Sequence, residues 1–152
     1  MNRKQPFTFK EFKAIYSKVP RLCVDLVIKN SKGILLTMRQ KNGWVGQWHL
    51  PGGTVYYKEA LENTVKRIAK EELGIEITMG KFIGYLEYFS EEKERGFGYS
   101  VSLVFLCKSD NSNLSLDDQV EEAKYFKTLL ENTVKEQKDL LEKLLKLSKY
   151  KE

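Results

Sequence analysis

The chain has 152 residues, enough for one compact domain, and 41% hydrophobic residues with 12% aromatics suffice for an ordinary packed core. Its formal charge of +5 comes from 26 basic and 21 acidic residues, but only five of the basic residues are arginines, and Lys and Glu are interspersed after Glu59. That pattern excludes the clustered, arginine-rich face of a nucleic-acid binder and indicates a solvated mixed-charge surface. No apolar run approaches the ~20 residues of a membrane span, and the first residues carry no apolar signal-peptide core, so a soluble, cytoplasmic protein is expected. Cys23 and Cys107 sit inside apolar runs without metal-ligand spacing and read as buried free thiols.

In chain order, Thr8 can cap an amphipathic helix running to about Lys18, with Phe9, Phe12, Ile15 and Tyr16 at helical spacing and Pro20 ending it. This arm, residues 1–20, needs its apolar stripe covered by the chain's own sheet or by a second subunit. Residues 22–30 and 33–40 read as two strands joined in a hairpin by the polar turn at Asn30, Ser31, Lys32 and Gly33. KNGWVGQWHLPGG is loop chemistry that ends in a tight Pro51-Gly52-Gly53 turn. Residues 58–73 read as a helix stopped by Gly74. Residues 75–89 and 98–108 are strand-like, and SEEKERG between them is charged enough for an exposed hairpin loop. A polar connection over 110–118, a last short strand over 123–126 and a C-terminal helix over 134–148 complete one domain spanning 1–152. The mixed order of strands and helices argues an α/β or α+β sandwich.

Winding residues 59–73 at about 100° per residue places Leu61, Val65, Ile68 and Ala69 on one apolar stripe, with Glu72 in its middle. A carboxylate on a core-facing stripe must be paired, protonated or bound to a cation. A structural ion pair and a metal ligand are both open at this point. The double glycine upstream lets backbone approach a ligand without side-chain obstruction. A backbone carbonyl, a carboxylate and phosphate oxygens together form the hard oxygen shell that Mg²⁺ prefers, and such an ion neutralises charge on a leaving diphosphate. Asp25, inside the apolar run CVDLVI, is a second carboxylate that must find a partner.

Residues 53–75, GTVYYKEALENTVKRIAKEELGI, resemble the Nudix box, Gly-x5-Glu-x7-Arg-Glu-U-x-Glu-Glu-x-Gly-U with U aliphatic. Gly53, Glu59, Arg67, Ala69, Glu71, Glu72, Gly74 and Ile75 fall on their slots, whereas Ile68 stands where the box has the first glutamate of its Arg-Glu pair. The GDP-mannose mannosyl hydrolase branch lacks that glutamate too, and the chain is similar to it from about residue 7 to 126, through FTFKEFKAIYSKVP, VDLVIKNSKGILLTMR, Trp48 to Gly53 and LSLDDQVEE. The resemblance implies a Nudix-type α/β/α sandwich with a mixed sheet and an extra N-terminal helix, a Mg²⁺ cofactor replaceable by Mn²⁺, and a homodimer. It also implies a nucleotide-sugar substrate such as GDP-mannose, with water attacking the anomeric carbon to release sugar and nucleoside diphosphate.

Carried over, the family pattern puts the metal on the Gly52 carbonyl, Glu72 and Gln119, with Glu71 beside them. Arg39 and Arg67 would hold the diphosphate against Gly53, and Asp25 would lie near the sugar. Three slots depart from the branch: Val120 stands where its general-base histidine falls, Thr54 where an arginine follows the double glycine, and Tyr88 where another histidine falls. His49, the only histidine, suits a packed role. The base is left to loop carboxylates, Glu91, Glu92, Glu121 or Glu122. Two alternatives follow: a pyrophosphohydrolase cleaving P–O–P in a nucleotide sugar, dinucleotide or nucleoside triphosphate, and a catalytically weakened nucleotide-binding domain.

Overall fold

The computed structural model describes residues 6–109, 113–117 and 120–149. Helix α1 (Phe9–Tyr16) begins where its cap chemistry dictates: the Glu11 N–H donates to the Thr8 hydroxyl at 3.2 Å, and the Thr8 N–H donates to the Glu11 carboxylate at 2.8 Å. The helix stops just short of the predicted end. Phe12 turns inward against Tyr16 and Phe97, so the chain's own body covers that part of the stripe, while Phe9 remains 68% exposed.

Strands β1 (Arg21–Asn30) and β2 (Gly33–Arg39) form the expected hairpin, but they pair only at its closed end, Lys29 with Ile34 and Asn30 with Gly33. Beyond it they part. β1 runs parallel to β6 (Ser100–Ser109), which pairs antiparallel with β5 (Ile77–Tyr88), whereas β2 pairs antiparallel with β7 (Val120–Phe126). Into the open end enter β3 (Trp48–His49), against Thr37 and Met38, and β4 (Gly52–Thr54), against Cys23, Val24 and Asp25. The mixed sheet is therefore V-shaped, and its mouth lies between the start of β1 and the end of β2.

Alternation along β1 serves two cores. Val24, Leu26 and Ile28 face helix α2 (Leu61–Ile68), packing with Val65, Ile68, Ala69 and Leu73. Val27 joins Ile34, Leu36, Trp48, Leu50 and Val104 beneath α4 (Lys135–Lys149), whose Leu141 and Leu145 close that side. The α/β/α layering that the resemblance implied is thus present.

Two elements differ from their expected form. The central helix begins at Leu61, because Lys58 takes a left-handed φ of +57° and the Glu59 carboxylate accepts the Tyr56 N–H and the Thr64 hydroxyl. Its last turn, Ala69–Leu73, is π-helical before Gly74 caps it at φ +66°. SEEKERG is not an exposed loop: Glu91–Arg95 forms the short helix α3, and Glu91 is 1% exposed because Arg21 and Arg95 neutralise it. The last strand starts at Val120, earlier than expected, where it can pair with Arg39 across β2. Cys23 and Cys107 are buried free thiols, as read from sequence. No helix among the described residues is long and apolar enough to cross a membrane.

A methyl at Gly74 would meet Ser115 Cβ at 2.7 Å and the Ser115 carbonyl at 3.0 Å while holding a left-handed φ. Gly74→Ala should therefore cost about 1–2 kcal/mol in urea unfolding. An unchanged midpoint would show that the 113–117 segment simply yields.

Candidate active site

The mouth of the V holds a cleft of about 520 Å³. Each strand end places one group in it. Asp25 comes from β1, Arg39 from the bulged end of β2, His49 from β3, Gly52 and Gly53 from β4, and Arg67, Glu71 and Glu72 from the central helix and its π turn. Every described residue that the sequence singled out for metal, diphosphate or sugar thus lines one cavity; Gln119 lies outside the described residues.

Register fixes the backbone at the double glycine. The Leu26 N–H donates to the Pro51 carbonyl and the Val55 N–H to the Leu22 carbonyl, each at 2.9 Å, so alternation turns both the N–H and the carbonyl of Gly52 away from β1. The N–H meets the Glu72 carboxylate. Gly52 tolerates no side chain, since a Cβ would lie 2.1 Å from Asp25 Oδ1.

Glu72 carries the charge logic of the site. Its Oε2 is buried without any hydrogen-bond partner. Burial pushes the carboxyl up to about 8; Arg39 opposes the rise, Asp117 and Asp25 add to it, and the Gly52 N–H opposes it. An unanswered buried carboxylate oxygen, next to an outward-facing glycine carbonyl, is a donor set that suits a hard divalent cation. Glu71 is half-committed, because its Oε2 accepts from Arg67 at 3.2 Å. Asp117, which sequence reasoning did not select, lines the cleft beside Glu72. Among the described residues no group of three or more His, Cys, Asp or Glu side chains could hold a metal, so backbone and substrate oxygens would have to complete the shell.

Asp25 finds its partner in Tyr88, whose hydroxyl donates at 2.6 Å, and Gln137 donates in turn to that hydroxyl at 2.7 Å while accepting the Leu50 N–H at 2.8 Å. Burial raises the Asp25 carboxyl to about 6, held from rising further by Tyr88, Ser102, Arg21 and Arg39. Arg39 is largely desolvated, which lowers its pKa against the pull of Glu72, and it sits 5.7 Å over the Trp44 ring.

Other expectations change. Arg67 does not stand free for a diphosphate: it donates to both Glu59 oxygens at 2.8 and 3.0 Å, to Glu71 at 3.2 Å and to the Thr54 carbonyl at 2.7 Å. It ties the helix to the end of β4. Glu91 is locked between Arg21 and Arg95 at 2.6 and 3.1 Å, and Glu92, Glu121 and Glu122 do not line the cleft, so none of these four is placed to activate water. His49 is packed, with Nδ1 2.6 Å from the Leu50 carbonyl, and burial together with the Arg39 charge pushes its pKa down to about 3. Ile68 presses its methyl toward Gly53, 3.3 Å from where a Cβ would stand, and Val120 is buried beside Arg39. Arg21, Arg95, Tyr88 and Gln137 are cleft residues that only the three-dimensional arrangement assembles.

A family model for the NUDIX domain matches residues 19–144. The chain belongs to the NUDIX family. It is 35% identical over 119 residues to the low-salt glycan biosynthesis protein Agl8 of Haloferax volcanii, covering 76% of each chain. It is 33% identical over 107 residues to the ADP-ribose pyrophosphatase of Methanocaldococcus jannaschii, covering 70% of this chain and 62% of that one. The solved structure of a MutT protein from Methanosarcina mazei shares the fold, with a TM-score of 0.73 and 24% identity over 88% of this chain and 99% of that one. The chain is thus a Nudix hydrolase, of a class that acts on nucleotide derivatives and generally uses Mg²⁺ or Mn²⁺. The Nudix box occupies the β4 turn and the central helix, where the cleft was found.

Within the box, burial alone would raise the Glu59 carboxyl, but hydrogen bonds from Arg67, Thr64 and the Tyr56 N–H hold it at about 2, below its ordinary 4.5. A depressed carboxyl stabilises the fold fully above about pH 4.5, and that contribution is lost as pH falls through about 2. Glu59→Gln should cost on the order of 2 kcal/mol at pH 7, and the deficit should shrink towards zero in acid. A deficit that stays constant from neutral pH into acid, by urea titration, would deny Glu59 its charged role.

Proposed function

We propose that this Nudix hydrolase cleaves a nucleoside diphosphate sugar of the GDP-mannose type by attack of water at the anomeric carbon, releasing sugar and nucleoside diphosphate. The observation that carries the reading is the unpartnered Glu72 oxygen beside Gly52, facing Arg39 and Asp25 across one cleft, with Ile68 where a second box carboxylate would stand. Gly52, Glu72 and Glu71, with Gln119, would hold a Mg²⁺ ion, which when bound neutralises charge on the diphosphate. Arg39, at the rim between β2 and β7, offers its planar fork to phosphoryl oxygens, and Gly53 keeps the backbone clear beneath them. Asp25, oriented by Tyr88, supplies a negative charge close to the diphosphate, where a sugar's anomeric carbon becomes cationic as its bond breaks. Arg67 acts by positioning, since its guanidinium links Glu59, Glu71 and Thr54 and thereby sets the helix against β4.

The name of the Haloferax relative, a glycan biosynthesis protein, agrees with a sugar-linked substrate. The name of the Methanocaldococcus relative favours a second reading, cleavage between the phosphates of a nucleotide sugar such as ADP-ribose.

Hydrolysis in ¹⁸O-labelled water separates the two. Label in the released sugar is the expected result, and label in a phosphate would replace the proposal with pyrophosphohydrolysis. Glu72→Gln preserves shape and should abolish Mg²⁺-dependent turnover together with any rise in Tm on adding Mg²⁺. Wild-type activity in that variant would remove Glu72 from the metal site.

A further inference from the structure

Among the described residues four arginines line the cleft, Arg21, Arg39, Arg67 and Arg95, and no lysine does, although lysines supply most of the chain's basic residues. Their neutralisation is uneven. Arg67 answers Glu59 and Glu71, and Arg39 faces Glu72 and Asp25. Arg21 and Arg95 share a single carboxylate: Glu91 Oε1 accepts from both, at 2.6 and 3.1 Å, while Oε2 accepts the Ser100 hydroxyl. Two guanidinium groups against one carboxylate leave this end of the cleft net positive.

Their geometry is that of a prepared receptor. Arg21 is nearly buried and donates to Thr54 Oγ1 at 2.7 Å, which brings its fork to the end of the double-glycine strand. Its Nε–H is buried with no partner, a desolvation cost that a purely structural ion pair would not need to carry. Arg95 lies 5.0 Å over the Phe12 ring and 4.9 Å over the Phe97 ring, contacts that fix its plane without consuming N–H donors. Helix α1 thereby walls these cations through Phe12, over which both Arg21 and Arg95 lie.

We infer that Arg21 and Arg95, held as a pair by Glu91, form an oxyanion clamp for the diphosphate oxygens turned away from the Glu72–Gly52 side. The inference rests on the reading of the cleft as a diphosphate site. When the bond to the sugar breaks, the departing nucleoside diphosphate gains negative charge, and fixed guanidinium groups in a desolvated cleft stabilise that charge without reorganisation. These residues bind substrate and positioned charge; they donate no proton.

The test is isothermal titration with inorganic pyrophosphate, in Mg²⁺ and separately in EDTA, on the wild-type chain and on Arg95→Met, Arg95→Lys and Arg21→Met, with Lys143→Met as an exposed control for net charge. Arg95→Met keeps an apolar stem against Phe12 and should raise Kd by about tenfold or more in both media, the loss of one charge-assisted clamp, while Lys143→Met stays within about twofold. Arg95→Lys keeps the charge but not the fork, so it should fold as the wild type does and still bind more weakly. Wild-type affinity in Arg95→Met, or in Arg95→Lys and Arg21→Met together should Arg95→Met not fold, overturns the clamp and leaves these arginines as structural partners of Glu91. Failure of the wild-type chain to bind pyrophosphate even with Mg²⁺ overturns the diphosphate reading itself, and the clamp with it.

Discussion

A charge taken out of water must be met by an opposite charge, by hydrogen-bond donors or by a cation, and the cleft of this Nudix hydrolase is built around that constraint. Glu59 is met by Arg67, Glu91 by Arg21 and Arg95, and Asp25 by a neutral chain through Tyr88 and Gln137 to the Leu50 N–H. Glu72 is met on one oxygen by the Gly52 N–H, while its other oxygen is buried and unanswered. Glu59 and Glu91 are structural or orienting, because their partners are already in the chain, whereas Asp25 is itself oriented by its partners and still lines the cleft. The fourth keeps one buried oxygen unanswered within the chain, which is why the proposed metal site falls on it and not on its half-paired neighbour Glu71.

The sheet decides where these charges meet. β1 and β2 pair at one end only, so their other ends stand apart and expose Asp25 and Arg39 to the same space. β3 and β4 fill the gap without closing it, since a glycine at 52 leaves no side chain between Asp25 and the central helix. The π turn over Ala69–Leu73 changes the winding at the helix end nearest the glycine strand, and Arg67 locks that arrangement through Glu59 and Thr54. An apolar sandwich and a polar cleft thus share the same strands, Leu26 and Val27 facing the two cores one and two residues beyond Asp25.

Local signals made much of this legible in the sequence. The capping box at Thr8, the stop at Gly74, the turn at Gly33 and the isolation of Asp25 among aliphatic residues are short-range patterns with one physical solution each. The box motif located one side of the cleft for the same reason: its residues are close in sequence. Pairings between distant segments were not legible. Glu91 reads as one more charged loop residue until Arg21, seventy positions away, is placed against it, and the link from Asp25 to Gln137 spans nearly the whole chain. The helical wheel held for the stripe of Leu61, Val65, Ile68 and Ala69 and for the inward Glu72, but a uniform turn angle cannot anticipate a π turn or a helix that starts three residues late. Gln119 belongs to a segment outside the described residues, so its role stays a proposal from resemblance alone.

The same charge arrangement bears on how the site could work when none of the loop carboxylates read from sequence as candidate bases, nor the histidine, stands in place among the described residues. Ile68 and Val120 are buried and apolar, His49 is held neutral by burial and Arg39, and the loop glutamates do not line the cleft. Attack at phosphorus by water gains from a residue that positions and deprotonates the nucleophile. Attack at an anomeric carbon needs less, because its transition state resembles an oxocarbenium ion and its barrier falls mainly with stabilisation of the departing diphosphate. In the proposed reading, arginines and a buried carboxylate around the cleft would supply that stabilisation, and Asp25 would oppose the growing positive charge on the sugar. On electrostatic grounds the described cleft is better equipped to help a leaving group depart than to sharpen a water molecule, and that is the argument behind the proposed carbon–oxygen cleavage.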